Sequence, residues 1–179
     1  TDALEFLCRA GLKTRLFLDP PAREQLKSYP DLQAYGVAGL TRSMSPEAME
    51  TTLHPAFLQM KATGARHIHY KVCSTFDSSP TIGSIGRAID TASKMFHQPS
   101  IPLLVAAPAL GRYCVFGNLF ARMGIGSAGE IFRLDRHPSM SKHPVTPADE
   151  SDLRLHLAKQ TKLPIRLLSS LQLEQSLSE

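Results

Sequence analysis

The stretch KVCSTFDSSPTIGSIGR, from Lys71 to Arg87, brings an ammonium, several small hydroxyls, a carboxylate and two glycines into close order. An ammonium on Lys71 can hold an anionic end, the hydroxyls of Ser74, Thr75 and Ser78 can bond to a polyol, and the Asp77 carboxylate can accept from sugar hydroxyls. Such a set suits a small hydroxylated acid. A second reading fits the same residues: Ser74, Asp77 and Ser78 cap the helix that follows, and Lys71 is merely solvated. Gly83, Ser84, Gly86 and Arg87 open a helical pattern, whose exposed N–H groups and positive dipole end would form an anion-binding turn. TIGSIG is a weak motif, because it lacks both the dinucleotide fingerprint and the phosphate loop G-x-x-x-x-G-K-[ST]. A plain flexible turn beside a solvated arginine explains it equally simply.

Other chemistry-bearing residues are sparser. His67 and His69 stand two apart and would share one face of a strand, but no third metal ligand follows at a sensible spacing, so they read as structural and no metal site is expected. His137 and His143 lie in RLDRHPSMSKHPVTP, a loop dense with Arg133, Asp135, Arg136 and Lys142. A polar site and a salt-bridged structural loop both fit it. Cys8, Cys73 and Cys114 are odd in number and far apart, which suggests neither a disulfide framework nor a zinc site and fits a reducing cytoplasm.

These residues have to be positioned by an alternation of strands and helices. Leu4, Leu7 and Cys8 share a helical face, Gly11 offers a stop, and TRLFLD follows as a strand. AYGVAGLT is a second strand, followed by Ser45 as N-cap, Pro46 at the first helical position and Met49, Leu53, Phe57 and Met60 as a buried stripe. RHIHYKV reads as a third strand and Ile85, Ile89, Ala92 and Phe96 as the stripe of the next helix. PLLVAA, apolar on both faces, is expected as a central parallel strand. Residues 109–143 read as long loops apart from RYCVFG, a late helix is expected near Thr146 and Pro147, and PIRLLS as a last strand. The pattern predicts an α/β domain over 1–179, with a Rossmann-like, mostly parallel sheet flanked by helices. Ligands of such sheets bind beyond the carboxyl ends of the strands, which puts Lys71–Pro80 on the same edge as Arg42 and Ser43.

With 179 residues and 42% hydrophobic content the chain can bury one core. Its net charge of +4 is spread among 20 basic and 16 acidic residues, too mixed for a nucleic-acid stripe, and attracts small anions at most. The longest apolar run, IPLLVAAPAL, is about half a membrane span and contains two prolines, so no membrane partner is expected. The first residue is Thr1, already in a helical pattern, and further material is expected before it.

YKVCSTFDSSPTIGSIGRAID, with FGNLFA and RLDRHPSMSKHPVTP downstream, resembles the amino-terminal domain of the four-carbon acid sugar kinase family, long known as a domain of unknown function. TDALEFLCRAGLKTRLFLDPP resembles the segment right after that family's D-D-x-T-G-A signature. The resemblance runs from Thr1 to about Leu168. It implies an ATP-dependent kinase acting on the terminal hydroxyl of a threonate, an erythronate or a 3-oxo-tetronate, with this chain as the sugar-holding part and a carboxy-terminal domain of the same protein holding ATP and Mg. A homo-oligomer is compatible with it. The family's K-x-x-S-T-F-D-S block falls on Lys71, Ser74, Thr75, Phe76, Asp77 and Ser78, its S-R-S-like turn on Thr41, Arg42 and Ser43, and its H-P block on His143 and Pro144. By resemblance the substrate-binding set is Arg42, Lys71, Ser74, Asp77, Ser78, Asn118 and His143, with Gly83, Ser84 and Gly86 as the turn. The chain departs from the family in two ways. The signature acids are not in the sequence, so the catalytic base has no residue here and the chain alone is not expected to turn over ATP. Asn118 stands where many relatives have histidine, which bears on the acid preferred. A non-catalytic sugar-acid-binding module is the alternative reading. A Rossmann-like oxidoreductase or nucleotide-binding domain is a second, weakened by the missing G-x-G-x-x-G.

Overall fold

The computed structural model describes residues 2–124 and 128–172. Helix α1 (Asp2–Arg9) leads into strand β1 (Thr14–Phe17), the short helix α2 (Arg23–Leu26) and strand β2 (Ala34–Val37). β1 and β2 pair in parallel, Thr14 opposite Ala34 and Phe17 opposite Val37. A parallel pair needs a crossover, and residues 18–33 supply it. Phe17 meets Tyr29 and Tyr35 edge-on, and Leu4 of α1 packs on Gly36.

Helix α3 (Pro46–Ala62) starts as its sequence signals predict: the Ser45 hydroxyl accepts from Ala48 N–H, and Pro46 needs no partner in the first turn. It packs against α4 (Ile85–Met95) through Met49, Leu53 and Phe57, with Ala88 and Met95 opposite. Ile85, at the start of α4, reaches a second core with Phe76, Leu119, Leu134, Leu153 and Leu157. One helix thus joins both apolar clusters, and so holds the loop before it in a fixed place. Tyr35 Oη lies 3.1 Å from Thr63 Oγ1, and Gln59 Nε2 donates to Pro21 O at 3.2 Å, which ties the parallel pair to α3.

Residues 109–143, expected to be long loops apart from RYCVFG, contain a three-stranded meander whose first strand is that RYCV stretch. β3 (Arg112–Val115), β4 (Asn118–Arg122) and β5 (Ile131–Arg133) pair antiparallel in that order, and helix α5 (Leu153–Ala158) follows them. The α/β class and single domain stand. The observed strands make one parallel pair and one antiparallel triplet. RHIHYKV, PLLVAA and PIRLLS form no ladder, and the late helix starts at Leu153 under an Asp152 cap rather than near Thr146. The reason is physical: apolar β-branched residues make a surface that suits a sheet, but a strand also needs a neighbour for its N–H and C=O groups. PLLVAA is not covered on both faces, and Leu104 is 87% exposed. No described helix is long and apolar enough to cross a membrane. Thr1 and the serine- and leucine-rich tail beyond residue 172 lie outside the described residues.

Candidate functional site

Two loops meet at the carboxyl end of β2. Thr41–Ser43 forms a 3-10 turn just after the strand, and Gly83 approaches it closely enough to donate its N–H to Met44 O at 2.9 Å. Gly83 has φ +61, and a Cβ there would lie 2.4 Å from the Arg42 carbonyl oxygen, so the contact requires glycine. Arg42 Nη1 then stands 3.6 Å from Asp77 Oδ2. The guanidinium side chain is 69% exposed, while the carboxylate it faces is only 9% exposed. Thr75 Oγ1 donates to the other carboxylate oxygen at 2.6 Å. A held acceptor beneath an open planar donor can take a hydroxyl and a carboxylate of one small ligand at once.

Asp77 lies between two buried residues. Phe76 is in a left-handed conformation, φ 60, with its N–H bonded to Cys73 O at 2.9 Å. Ser78 Oγ touches Phe76 O, His156 Nε2 and Gln160 Nε2 at 3.0, 2.9 and 3.0 Å. Ser78 therefore faces the protein interior. Neither it nor Asp77 caps α4; that cap is Ser84, whose hydroxyl accepts from Arg87 N–H at 3.0 Å. Gly86 N–H donates to Gln160 Oε1 at 3.3 Å, and a Cβ on Gly86 would lie 2.5 Å from the Gln160 backbone. The amides of Gly86 and Arg87 in the expected anion-binding turn are thus taken up by protein acceptors, and Arg87 itself pairs with Glu50.

The remaining expected residues are dispersed. Lys71 Nζ pairs with Asp2 Oδ2 of α1 at 2.8 Å, which holds that carboxyl below its usual range. Ser74 is half-buried beside the knot. Asn118 Oδ1 accepts from Ser151 Oγ at 2.8 Å, and His143 Nδ1 accepts from Thr146 N–H at 3.0 Å. Both brace the 143–152 loop, whose Thr146, Ala148 and Glu150 line a narrow cavity with Thr75, Asp77, Ser78 and His156. About 10 Å³ in volume, the cavity has room for one water molecule and not for a sugar acid. His67 and His69 are both exposed. Among the described residues no three His, Cys, Asp or Glu side chains gather to hold a metal.

His156 and Gln160 are the residues that sequence reasoning missed. No local signal pairs them, since His156 lies in α5 and Gln160 just past the Lys159 that ends that helix. Burial, and then Lys159, hold the His156 imidazole below its ordinary value against the pull of Asp149 and Glu150, and burial does the same for His137. Burial therefore disfavours the charged form of both rings, and the unfolded chain takes up their protons first on acidification. Their contribution to stability is complete above about pH 6.5 and declines as pH falls through the lower folded values. Asp149 and Asp152, held down by Lys159 and Arg154, lose their contribution only below about pH 4. Thermal melting against pH should show two separate acid limbs. A flat profile between about pH 6.5 and 5 would mean the histidines are not buried neutral.

Comparison with known proteins follows this geometry. The chain is 48% identical over 176 residues to a 3-oxo-isoapionate kinase of Paraburkholderia graminis, matching 97% of the chain but 36% of the relative. It is 30% identical over 170 residues to a 3-oxo-tetronate kinase of Methylobacterium radiotolerans, covering 95% of the chain and 37% of the relative. The chain thus spans little more than a third of the length of these curated relatives. Its fold matches a crystal structure of a Haemophilus influenzae protein from a domain-of-unknown-function family with TM-score 0.81 at 23% identity, over 97% of this chain and 39% of that one. The model of the sugar-binding N-terminal domain matches residues 1–179, and the chain belongs to that family.

Proposed function

We propose that the chain is the acid-holding domain of a cytoplasmic, ATP-dependent kinase that phosphorylates the terminal hydroxyl of a small sugar acid such as a four-carbon tetronate or 3-oxo-tetronate. The observation that carries this reading is the Arg42–Asp77 pair, an exposed guanidinium 3.6 Å from a carboxylate held by Thr75. The guanidinium suits the carboxylate end of the substrate, and Asp77 suits its hydroxyls. Ser74, Asn118 and Lys71 stand apart from this pair, Asn118 bonded to Ser151 and Lys71 to Asp2, and the reading does not rest on them. The names of the two relatives, each a kinase of a 3-oxo sugar acid, support the substrate class.

Phosphoryl transfer asks mainly for in-line positioning and charge neutralisation. This chain's residues would orient the acid and present its terminal hydroxyl at the edge of the knot. ATP and Mg would be held by a carboxy-terminal domain of the same protein and supply the phosphoryl group. Closure of that domain over the knot would exclude water.

The test is calorimetry of the chain with threonate, erythronate and 3-oxo-tetronate, beside a coupled assay of ADP release by the whole protein. Saturable binding with turnover supports the kinase. Binding without turnover would make the chain a non-catalytic sugar-acid module, and binding of NAD in place of the acids would overturn the reading.

A further inference from the structure

The buried hydroxyl of Ser78 has three polar neighbours, and the donors and acceptors around it have one consistent arrangement. The Phe76 carbonyl, at 3.0 Å, can only accept, so the Ser78 proton goes there. Gln160 Nε2, at 3.0 Å, donates to Ser78 Oγ, and the amide cannot be flipped because its Oε1 accepts from the backbone N–H of Gly86 at 3.3 Å. All three hydrogen bonds form together only when His156 Nε2, 2.9 Å from the same oxygen, carries a hydrogen and donates it. In the neutral ring Nδ1 is then a bare lone pair. That nitrogen is buried and has no hydrogen-bond partner among the described residues, and the ring lines the cavity shared with Thr75, Asp77 and Glu150.

The arrangement acts on Asp77 from both sides. Phe76 holds a backbone conformation that a residue with a Cβ disfavours. Its ring meets His156 edge-on at 5.7 Å, and its carbonyl is tied to Ser78. The ring contact is with His156 itself, and the Ser78 hydroxyl that ties the carbonyl is held by His156 together with Gln160.

We propose that His156 is a positioning residue for Asp77: as the neutral Nε2–H tautomer it fixes Ser78 and Phe76 on either side of the carboxylate, and through Nδ1 it accepts from one water molecule in the cavity beneath. This rests on the reading of Asp77 as a substrate contact, and the tests separate the two claims.

The tautomer is read by NMR of ¹⁵N-labelled imidazole near neutral pH. A protonated Nε2 with a bare Nδ1 is expected; an Nδ1–H tautomer or a charged ring overturns the proposal. His156→Leu removes the donor and His156→Gln keeps one within reach of Ser78. In the whole protein the leucine variant is expected to raise KM for the sugar acid about tenfold or more, with kcat changed less, and the glutamine variant to recover most of the loss. A lower Tm with unchanged KM in the leucine variant would mean packing alone, and overturns it. Should the wild-type protein use no sugar acid, the proposed function fails, yet amide exchange still decides this one. The Phe76 N–H should exchange faster in His156→Leu, relative to amides of α3, and unchanged exchange overturns the positioning role.

Discussion

Asp77→Asn is expected to lower kcat/KM for the sugar acid by about two orders of magnitude in the whole protein while leaving the KM for ATP alone. The substitution keeps shape and volume, and the chain around it is held by Phe76 and Ser78, so the knot should persist. What changes is charge. Arg42 loses the counter-ion 3.6 Å away, and the remaining amide has one acceptor where the carboxylate had two, one of them already used by Thr75. A substrate hydroxyl would then meet an N–H in place of an oxygen. Turnover within a fewfold of wild type would remove Asp77 from the site and take the proposed function with it. Asp77→Ala is the harsher variant, since it also removes the carboxylate that accepts from the Thr75 hydroxyl and leaves that hydroxyl only Cys73 Sγ at 3.2 Å, and thermal melting run alongside separates lost folding from lost binding.

Gly83→Ala is expected to cost about 3 kcal/mol of stability, a fall in Tm of roughly 6–12 °C for a chain of this size. Two effects combine. The positive φ of +61 disfavours any Cβ, and the added carbon would lie 2.4 Å from the Arg42 carbonyl oxygen. That oxygen belongs to backbone, and the Gly83 N–H to Met44 O bond of 2.9 Å clamps the two loops together, so no rotamer change relieves the contact. The loops must separate, and Arg42 moves away from Asp77 as they do. Loss of sugar-acid affinity should therefore accompany loss of stability, which denaturant unfolding and calorimetry on one sample can check. A cost under about 1 kcal/mol would mean that the close approach of the loops is not kept in solution.

Local signals were readable before any coordinates. Helix α3 begins where Ser45 and Pro46 say it should, because a cap is a contact between residues three apart. β1 and β2 were equally plain, and the knot from Lys71 to Ser78 stood out by its composition. Arg42 was expected on the same edge as the knot by a rule for loops at the carboxyl ends of parallel strands; the two do meet, but RHIHYKV forms no ladder, so the rule's premise does not hold for Asp77. Ser84, by contrast, was taken for part of an anion seat and is a helix cap, and Gly86 meets Gln160, 74 residues away in the chain. Such a contact leaves no local trace.

Composition and spacing were thus enough for the α/β class, the capped start of α3 and the cluster of residues that could hold an acid. Where each strand-like segment finds its partner, which serine faces a ligand and which faces the core, and which way the Ser78 proton points were matters of folding. Each depends on partners far apart in sequence: PLLVAA has strand character without a ladder, and Ser78 is turned inward by His156, 78 residues away. A hydrogen bond is made at about 3 Å through space, whatever the separation along the chain, and periodicity in a sequence carries no record of it.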